Sequence, residues 1–385
     1  MALTAARHGP RARSLRVHVV DPSAYTPPYD HALCAALAAA GAAVELHTSR
    51  FAHGPVAPAD GYVRREDFYG VAARVPHARA RRALKLAEHV PDMLRYRRTA
   101  AGADVVHFQW LTVQHLDGLL LPEGRPLVLT AHDVLPREPR PGQRAAQRRL
   151  YGRFDAVVVH SEHGRARLVG ELGVDAERVH VIPHGVFAHL AEAAPTQAAA
   201  EAAAEAPPFT TTAPVVLCFG LMRPYKGIDL LLEAWRGIEG AELWVVGAPR
   251  MDISELQAGA PAGVRFVPRF VSDRELAAFF GRADLVVLPY REIDQSGVLF
   301  TALAFGKALL LSDVGGFPEI AAAGAARVFS AGDATALRAA LRELLDDDQA
   351  RAALARRAGE LAGGEYAWSA VAQRTIALYE QLLAG

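Results

Sequence analysis

Short apolar runs recur along the chain, and each is followed by a polar connection and a stretch of helical spacing. The first run, residues 15–20, leads through a loop with three prolines into an alanine-rich helical stretch at 32–39, then Gly41 and a second run at 43–48. That is one β-α-β unit. Further runs at 105–108, 127–129, 156–159 and 179–182 alternate with helical segments such as 143–151 and 162–172. Strands that alternate with helices predict a parallel sheet.

Residues 190–212, LAEAAPTQAAAEAAAEAPPFTTT, interrupt the pattern with almost no large apolar side chain to bury. They read as a linker or surface insertion. The alternation then resumes at 215–219, 243–246, 264–267, 285–288, 308–311 and 327–329. The expected fold class is α/β: two doubly wound, Rossmann-like domains facing across a cleft, 1–189 and 214–366, joined by 190–213. A last helix within 367–385 carries Ala372, Ile376, Tyr379 and Leu383 on one stripe and is expected to cross back to the first domain. Open parallel sheets bind ligands at the carboxyl ends of their strands, so the cleft is where function is sought.

The length of 385 residues suits two cores of ordinary size. The two cysteines, Cys34 and Cys218, lie far apart in apolar surroundings, which suits buried thiols and a cytoplasmic address better than a disulfide framework. No run of 18 apolar residues and no export signal is visible, so neither a membrane span nor export is expected. Net charge is zero but unevenly divided: residues 1–190 hold 25 Lys+Arg against 18 Asp+Glu, a balance of +7 that the rest of the chain offsets with −7. The basic half faces an anionic partner on this reading. Within it, 74–98 carries eight Lys/Arg against Glu88 and Asp92, interleaved with Leu84, Leu86, Val90, Met93 and Leu94. Peripheral contact with an anionic membrane and a solvated basic helix are both open for that segment. Nucleic acid is not expected, since no recognised module accompanies the charge.

Chemistry concentrates after the second set of strands. FGLMRPYKGIDLLLEAW, 219–235, sets Arg223 and Lys226 on a glycine-bounded turn between strand and helix, beside Gly220. Fixed cations and helix N-terminal amides there would stabilise a diphosphate leaving group. Only three lysines, Lys85, Lys226 and Lys307, stand among 39 arginines, so a lysine in this turn is not the chain's ordinary surface cation. In LPYREIDQSGVLFTALAFGKALLLSDVGGFPEI, 288–320, the loop Asp294, Gln295, Ser296, Gly297 precedes a helix over 298–305. The amides of Ser296, Gly297 and Val298 could cradle a phosphate oxygen. Gly315, Gly316 and Glu319 follow.

These stretches resemble the retaining, GT-B-fold glycosyltransferases of family 4. The likeness covers most of the chain and rests on RPYKG at 223–227, the strand at 243–247, QSGVLFTALAFGK at 295–307, SDVGGFPE at 312–319 and AGDATAL at 331–337. It implies that Arg223 and Lys226 bind the donor diphosphate with the 296–298 amides, that the nucleobase sits near Gly247 and 267–271, and that the reaction retains configuration. The family commonly has glutamates where this chain has Ile293 and Thr301; Thr301 keeps one hydroxyl for ribose or sugar, and Asp294 or Glu292 offers a shifted carboxylate.

On the first half, LTAHDVLPRE at 129–138 puts His132 and Asp133 at a strand end. His132 resembles the histidine that the family places near the transferred sugar, where a hydrogen bond orients hydroxyls. VHSEHG at 159–164 and VIPHGVF at 181–187 add His160, Ser161, Glu162, His184 and Gly185, the last allowing backbone near the donor; Tyr29, in a proline-rich loop, shapes the acceptor pocket or merely stiffens the connection. No metal-ligand spacing appears and no DxD pair stands in a fitting loop, so neither metal nor cofactor is expected. The expected partners are a nucleotide-sugar and an acceptor hydroxyl on a glycan, lipid-linked molecule or small molecule. A binding subunit of low activity, and a GT-B-fold epimerase or phosphorylase, remain as alternatives.

Overall fold

The computed structural model describes residues 14–51, 54, 56–135, 142–192 and 207–385. Its first sheet holds β1 (Arg16–Asp21), β2 (Ala43–Ser49), β3 (Val63–Phe68), β4 (Val105–Phe108), β5 (Leu127–Thr130), β6 (Ala156–Val159) and β7 (Val179–Val181), all parallel, in the order β3-β2-β1-β4-β5-β6-β7. The second holds β8 (Val215–Phe219), β9 (Glu242–Val246), β10 (Val264–Val267), β11 (Leu285–Leu288), β12 (Ala308–Ser312) and β13 (Ala326–Phe329), again parallel, in the order β10-β9-β8-β11-β12-β13. Both orders reverse beside the first strand of the sheet, at β1/β4 and β8/β11. That is the topological switch point at which such sheets open a crevice.

Central strands such as Val105–Phe108, Ala156–Val159 and Leu285–Leu288 are buried along their whole length. They can be continuous apolar runs because helices cover both faces of the sheet. β3, VRREDF, is the strand that the apolar pattern does not announce. It lies at a sheet edge with its side chains mostly exposed, so pairing with β2 rather than burial makes it a strand.

The helix Trp368–Ala384 packs against Pro27–Ala39 and adds Val371, Ala372, Leu378 and Tyr379 to the core beside β1 and β2. The buried stripe is therefore Val371, Ala372, Thr375, Leu378 and Tyr379; Ile376 is half-buried and Leu383 is exposed, unlike the stripe read from spacing. Of the 190–213 segment, 193–206 lies outside the described residues. Among the described residues no helix is long and apolar enough to cross a membrane.

Candidate active site in the interdomain cleft

The turn after β8 is shaped by close packing. Gly220 has φ +107°, and a β-carbon there would stand 2.9 Å from Lys226 Nζ and 3.1 Å from Val298 Cγ2, so only glycine leaves room for the lysine. Lys226 is 7% exposed, and its ammonium donates to Tyr290 Oη at 2.8 Å. Tyr290 Oη lies 3.4 Å from Ser296 Oγ. The Arg291 guanidinium clamps the turn from the next strand end, donating to Asp229 at 2.8 and 2.7 Å and to the Pro224 carbonyl at 3.0 Å.

A cleft of about 420 Å³ opens over this lysine, with Phe219, Gly220, Tyr225, Tyr290, Ile293, Gln295, Ser296, Gly297, Val298 and Thr301 on the second-sheet side and Pro28, Phe187 and His189 opposite. The helix Gly297–Ala304 begins in its wall, and first-turn N–H groups have no intrahelical acceptor. A cation and a helix N-terminus thus converge on one space. Arg223 is exposed and outside the lining; its side chain makes no hydrogen bond or ion pair among the described residues.

Not every expected residue is brought there. Asp294 turns to the first domain: Arg167 Nη1 donates to Oδ1 at 2.5 Å and the Val134 N–H to Oδ2 at 3.1 Å, so its charge bridges the two halves. Glu319 does likewise, accepting the N–H groups of Glu162 and His163 at 3.1 and 2.9 Å and capping the helix Glu162–Gly170 across the interface. Thr301 lines the cleft, but its hydroxyl donates to the Gly297 carbonyl at 2.9 Å. Among the described residues the carboxylate in the lining is Asp273, at the start of the Asp273–Arg282 helix. Sequence reading passed over it and Tyr290; the signal for Tyr290 was its place just past an apolar strand.

The first sheet gathers further histidines at its strand ends, and none of His132, His160 and His184 is among the described lining residues. His160 Nδ1 faces the Ile182 carbonyl at 3.0 Å, its Nε2 faces His132 Nδ1 at 3.3 Å, and His132 Nε2 faces the Gln109 amide oxygen at 3.2 Å. Among the described residues Gln109 Nε2 is buried without another partner, so the amide turned to donate through it, together with the one proton of each neutral ring, satisfies all three contacts. Burial, reinforced by the neighbouring histidines, drives the His132 value well below its ordinary one, and burial pulls His160 to about 4. His132 Nε2 is then the acceptor end of the neutral pair. Trp110 stacks on His132 at 4.9 Å.

His184 is buried against Phe300, ring centroids 4.4 Å apart, and burial lowers it to about 3. Tyr29, expected to shape the acceptor pocket, is buried and packs edge-on to His132, His184 and Trp368. Gly185 makes room for a different neighbour than the donor: a β-carbon there would meet Trp368 at 2.4 Å. Asp133 is exposed. A separate group, His18, Glu45 and His47, has candidate ligand atoms within 4.8 Å of one another. Glu45 is bonded by Arg65 and His47 by Asp67, away from the cleft's lining.

Residues 29–188 match the family model described as Glycosyltransferase Family 4, and 213–347 match that of Glycosyl transferases group 1. The chain is 30% identical over 308 residues to a D-inositol 3-phosphate glycosyltransferase of Xylanimonas cellulosilytica, covering 74% of this chain and 73% of the relative. It is 35% identical over 164 residues to a phosphatidyl-myo-inositol mannosyltransferase of Mycolicibacterium smegmatis, covering 41% and 42%. Its fold is similar to that of a sucrose-phosphate synthase from Thermosynechococcus elongatus, with a TM-score of 0.73 at 21% identity over 96% of this chain and 99% of the other.

Proposed function

The chain belongs to glycosyltransferase family 4 and moves a sugar from a nucleotide-sugar donor to an acceptor; we propose that the donor diphosphate lies between Lys226 and the 296–298 amides, with the acceptor hydroxyl arriving from the first sheet. The observation that carries this reading is the convergence of the buried Lys226 ammonium and the Gly297–Ala304 N-terminus on one cleft. Arg223, exposed at the rim, folds over the same phosphates.

In the transfer, the acceptor oxygen bonds to the sugar's anomeric carbon as that carbon's bond to the phosphate oxygen breaks. The acceptor proton passes to the leaving phosphate, which serves as local base, with retention of configuration. Lys226 and the amides meet the charge that grows on the leaving group, in a cleft where such contacts weigh more than in water. His132 accepts from a sugar hydroxyl and holds it in line. With the charge met by these groups, the reaction needs neither metal nor cofactor. The protein works in the cytoplasm, with the basic 74–98 segment as its contact to the membrane face.

A panel of nucleotide-sugars screened by thermal shift tests the donor assignment. One donor should raise the melting temperature with increasing concentration, and the same donor should be consumed when acceptor is added. Stabilisation that persists unchanged in Lys226→Ala would place the donor elsewhere.

A further inference from the structure

A second pocket, of about 560 Å³, opens at the carboxyl ends of β1, β2 and β4. Arg81, Arg82 and Lys85 reach it from the helix Ala78–Thr99, and Arg50 from the end of β2; among the described residues no carboxylate is in its lining. None of these four side chains is bonded to a carboxylate among the described residues. Lys85 Nζ sits 5.0 Å from the centre of the Tyr69 ring. Burial, and then Arg81, lower the Lys85 value, while Asp21 acts the other way. Asp21 itself is fully buried and accepts the N–H groups of Ser23, Tyr25 and Thr26 at 3.3, 2.6 and 3.2 Å, so its oxygens are held by the loop.

The floor is built as well as charged. Ser23 Oγ is 2.9 Å from Thr112 Oγ1, which is 3.1 Å from Tyr69 Oη; that hydroxyl lies 2.8 Å from His89 Nδ1, and His89 Nε2 lies 2.5 Å from Asp117 Oδ1. His89 and Asp117 are fully buried. Their fixed contacts hold the hydroxyls of Ser23 and Thr112 at the pocket surface, where they can bond a polar ligand. At the rim, Leu86 is 58% exposed and Tyr25 56%. Tyr25 lines this pocket and Pro28, in the first turn of the helix Pro27–Ala39, lines the donor cleft, and Tyr25 touches Trp110, which stacks on His132.

Resting on the donor-cleft reading above, we infer that this pocket is the acceptor site and that it takes an acceptor carrying a phosphate group, with Arg50, Arg81, Arg82 and Lys85 around the phosphate and Ser23 and Thr112 bonding its hydroxyls. Concentrated cations without carboxylates favour a doubly charged group over a neutral sugar, and guanidinium pairs fork onto phosphate oxygens. The phosphate comes either on a soluble ester or on a lipid headgroup.

Lysine labelling of the full chain tests this, because the chain has one lysine in each of three places: Lys85 in this pocket, Lys226 in the donor cleft and Lys307 elsewhere. Pyridoxal 5′-phosphate condenses with a lysine amine to an imine with loss of water, and borohydride fixes the product for peptide mapping. Lys85 should be labelled about tenfold faster than by pyridoxal, which lacks the phosphate, and Arg81→Gln/Arg82→Gln should erase that preference. Equal labelling by the two aldehydes, or an unchanged preference in the double variant, would overturn the proposal. Glycerol 3-phosphate protecting Lys85 points to a soluble ester, and vesicles of phosphatidic acid in phosphatidylcholine protecting it point to a lipid; protection by neither sinks it. UDP and GDP should shield Lys226 and leave Lys85 open. Lost shielding at Lys226 counts against the donor reading, whereas failure at Lys85 with that shielding intact counts against this proposal alone.

Discussion

The carboxyl edges of the two sheets present positive charge in opposite ways. At β8 and β11 the cation in the cleft lining is a lysine, buried, held by Tyr290 and set beside a helix N-terminus, while Arg291 is paired with Asp229 and Arg223 stands exposed outside the lining. At β1 and β2 it is a group of four, with Arg50 and Arg82 exposed and Arg81 and Lys85 half-buried. A buried, immobile cation costs no reorganisation when charge develops, which suits a transition state. Exposed cations are screened by salt and suit capture and selection of a charged ligand.

The sharpest break of this comparison is Lys226→Ala. Turnover should fall by about 10²–10³-fold, the usual cost of removing one preorganised stabilising group, with the fold retained. Arg223→Ala, exposed and unclamped, should cost only about tenfold. A Lys226 variant with near-normal kcat would dissolve the distinction. A smaller effect tests the other edge: raising ionic strength from about 0.05 to about 0.5 M should raise the acceptor KM roughly tenfold while moving the donor KM less than about twofold. Equal salt sensitivity of both constants would show that the two edges do not differ in screening.

A further effect, spread over several pH units, is on stability. His160 and His184 are held to about 4 and about 3, below their ordinary 6.5, because burial penalises the charged ring. Below pH 6.5 the unfolded chain takes up protons that the folded one refuses, so stability is complete above that pH and declines as pH falls towards 4, by at most about 1.4 kcal/mol per pH unit for each histidine. Calorimetry between pH 7 and 4 should show the melting transition moving down, and a flat profile would mean the rings are accessible to protons in the native state.

Much of the fold was legible because buried parallel strands are written as apolar runs; β3 was not, because an edge strand is stabilised by its neighbour's hydrogen bonds and keeps its charges in water. At the site, Lys226 stood out by its rarity and its turn. Asp294, in a loop that looked made for the donor, went to Arg167 instead, a partner 127 residues away that no local pattern announces.

By itself, then, the sequence determined the α/β alternation, the family likeness and the cationic turn, all of which depend on residues close together in the chain. Tertiary structure alone decided which charges are spent and which are left to bind. Asp294 and Glu319 are consumed in joining the halves, Tyr29 and Gly185 in packing, while Arg50, Arg81, Arg82 and Lys85, scattered over two elements, gather at one pocket. The reason is geometric: parallel strands bring their carboxyl ends together in space however far apart they lie in the chain, and the partner a side chain finds there sets its role.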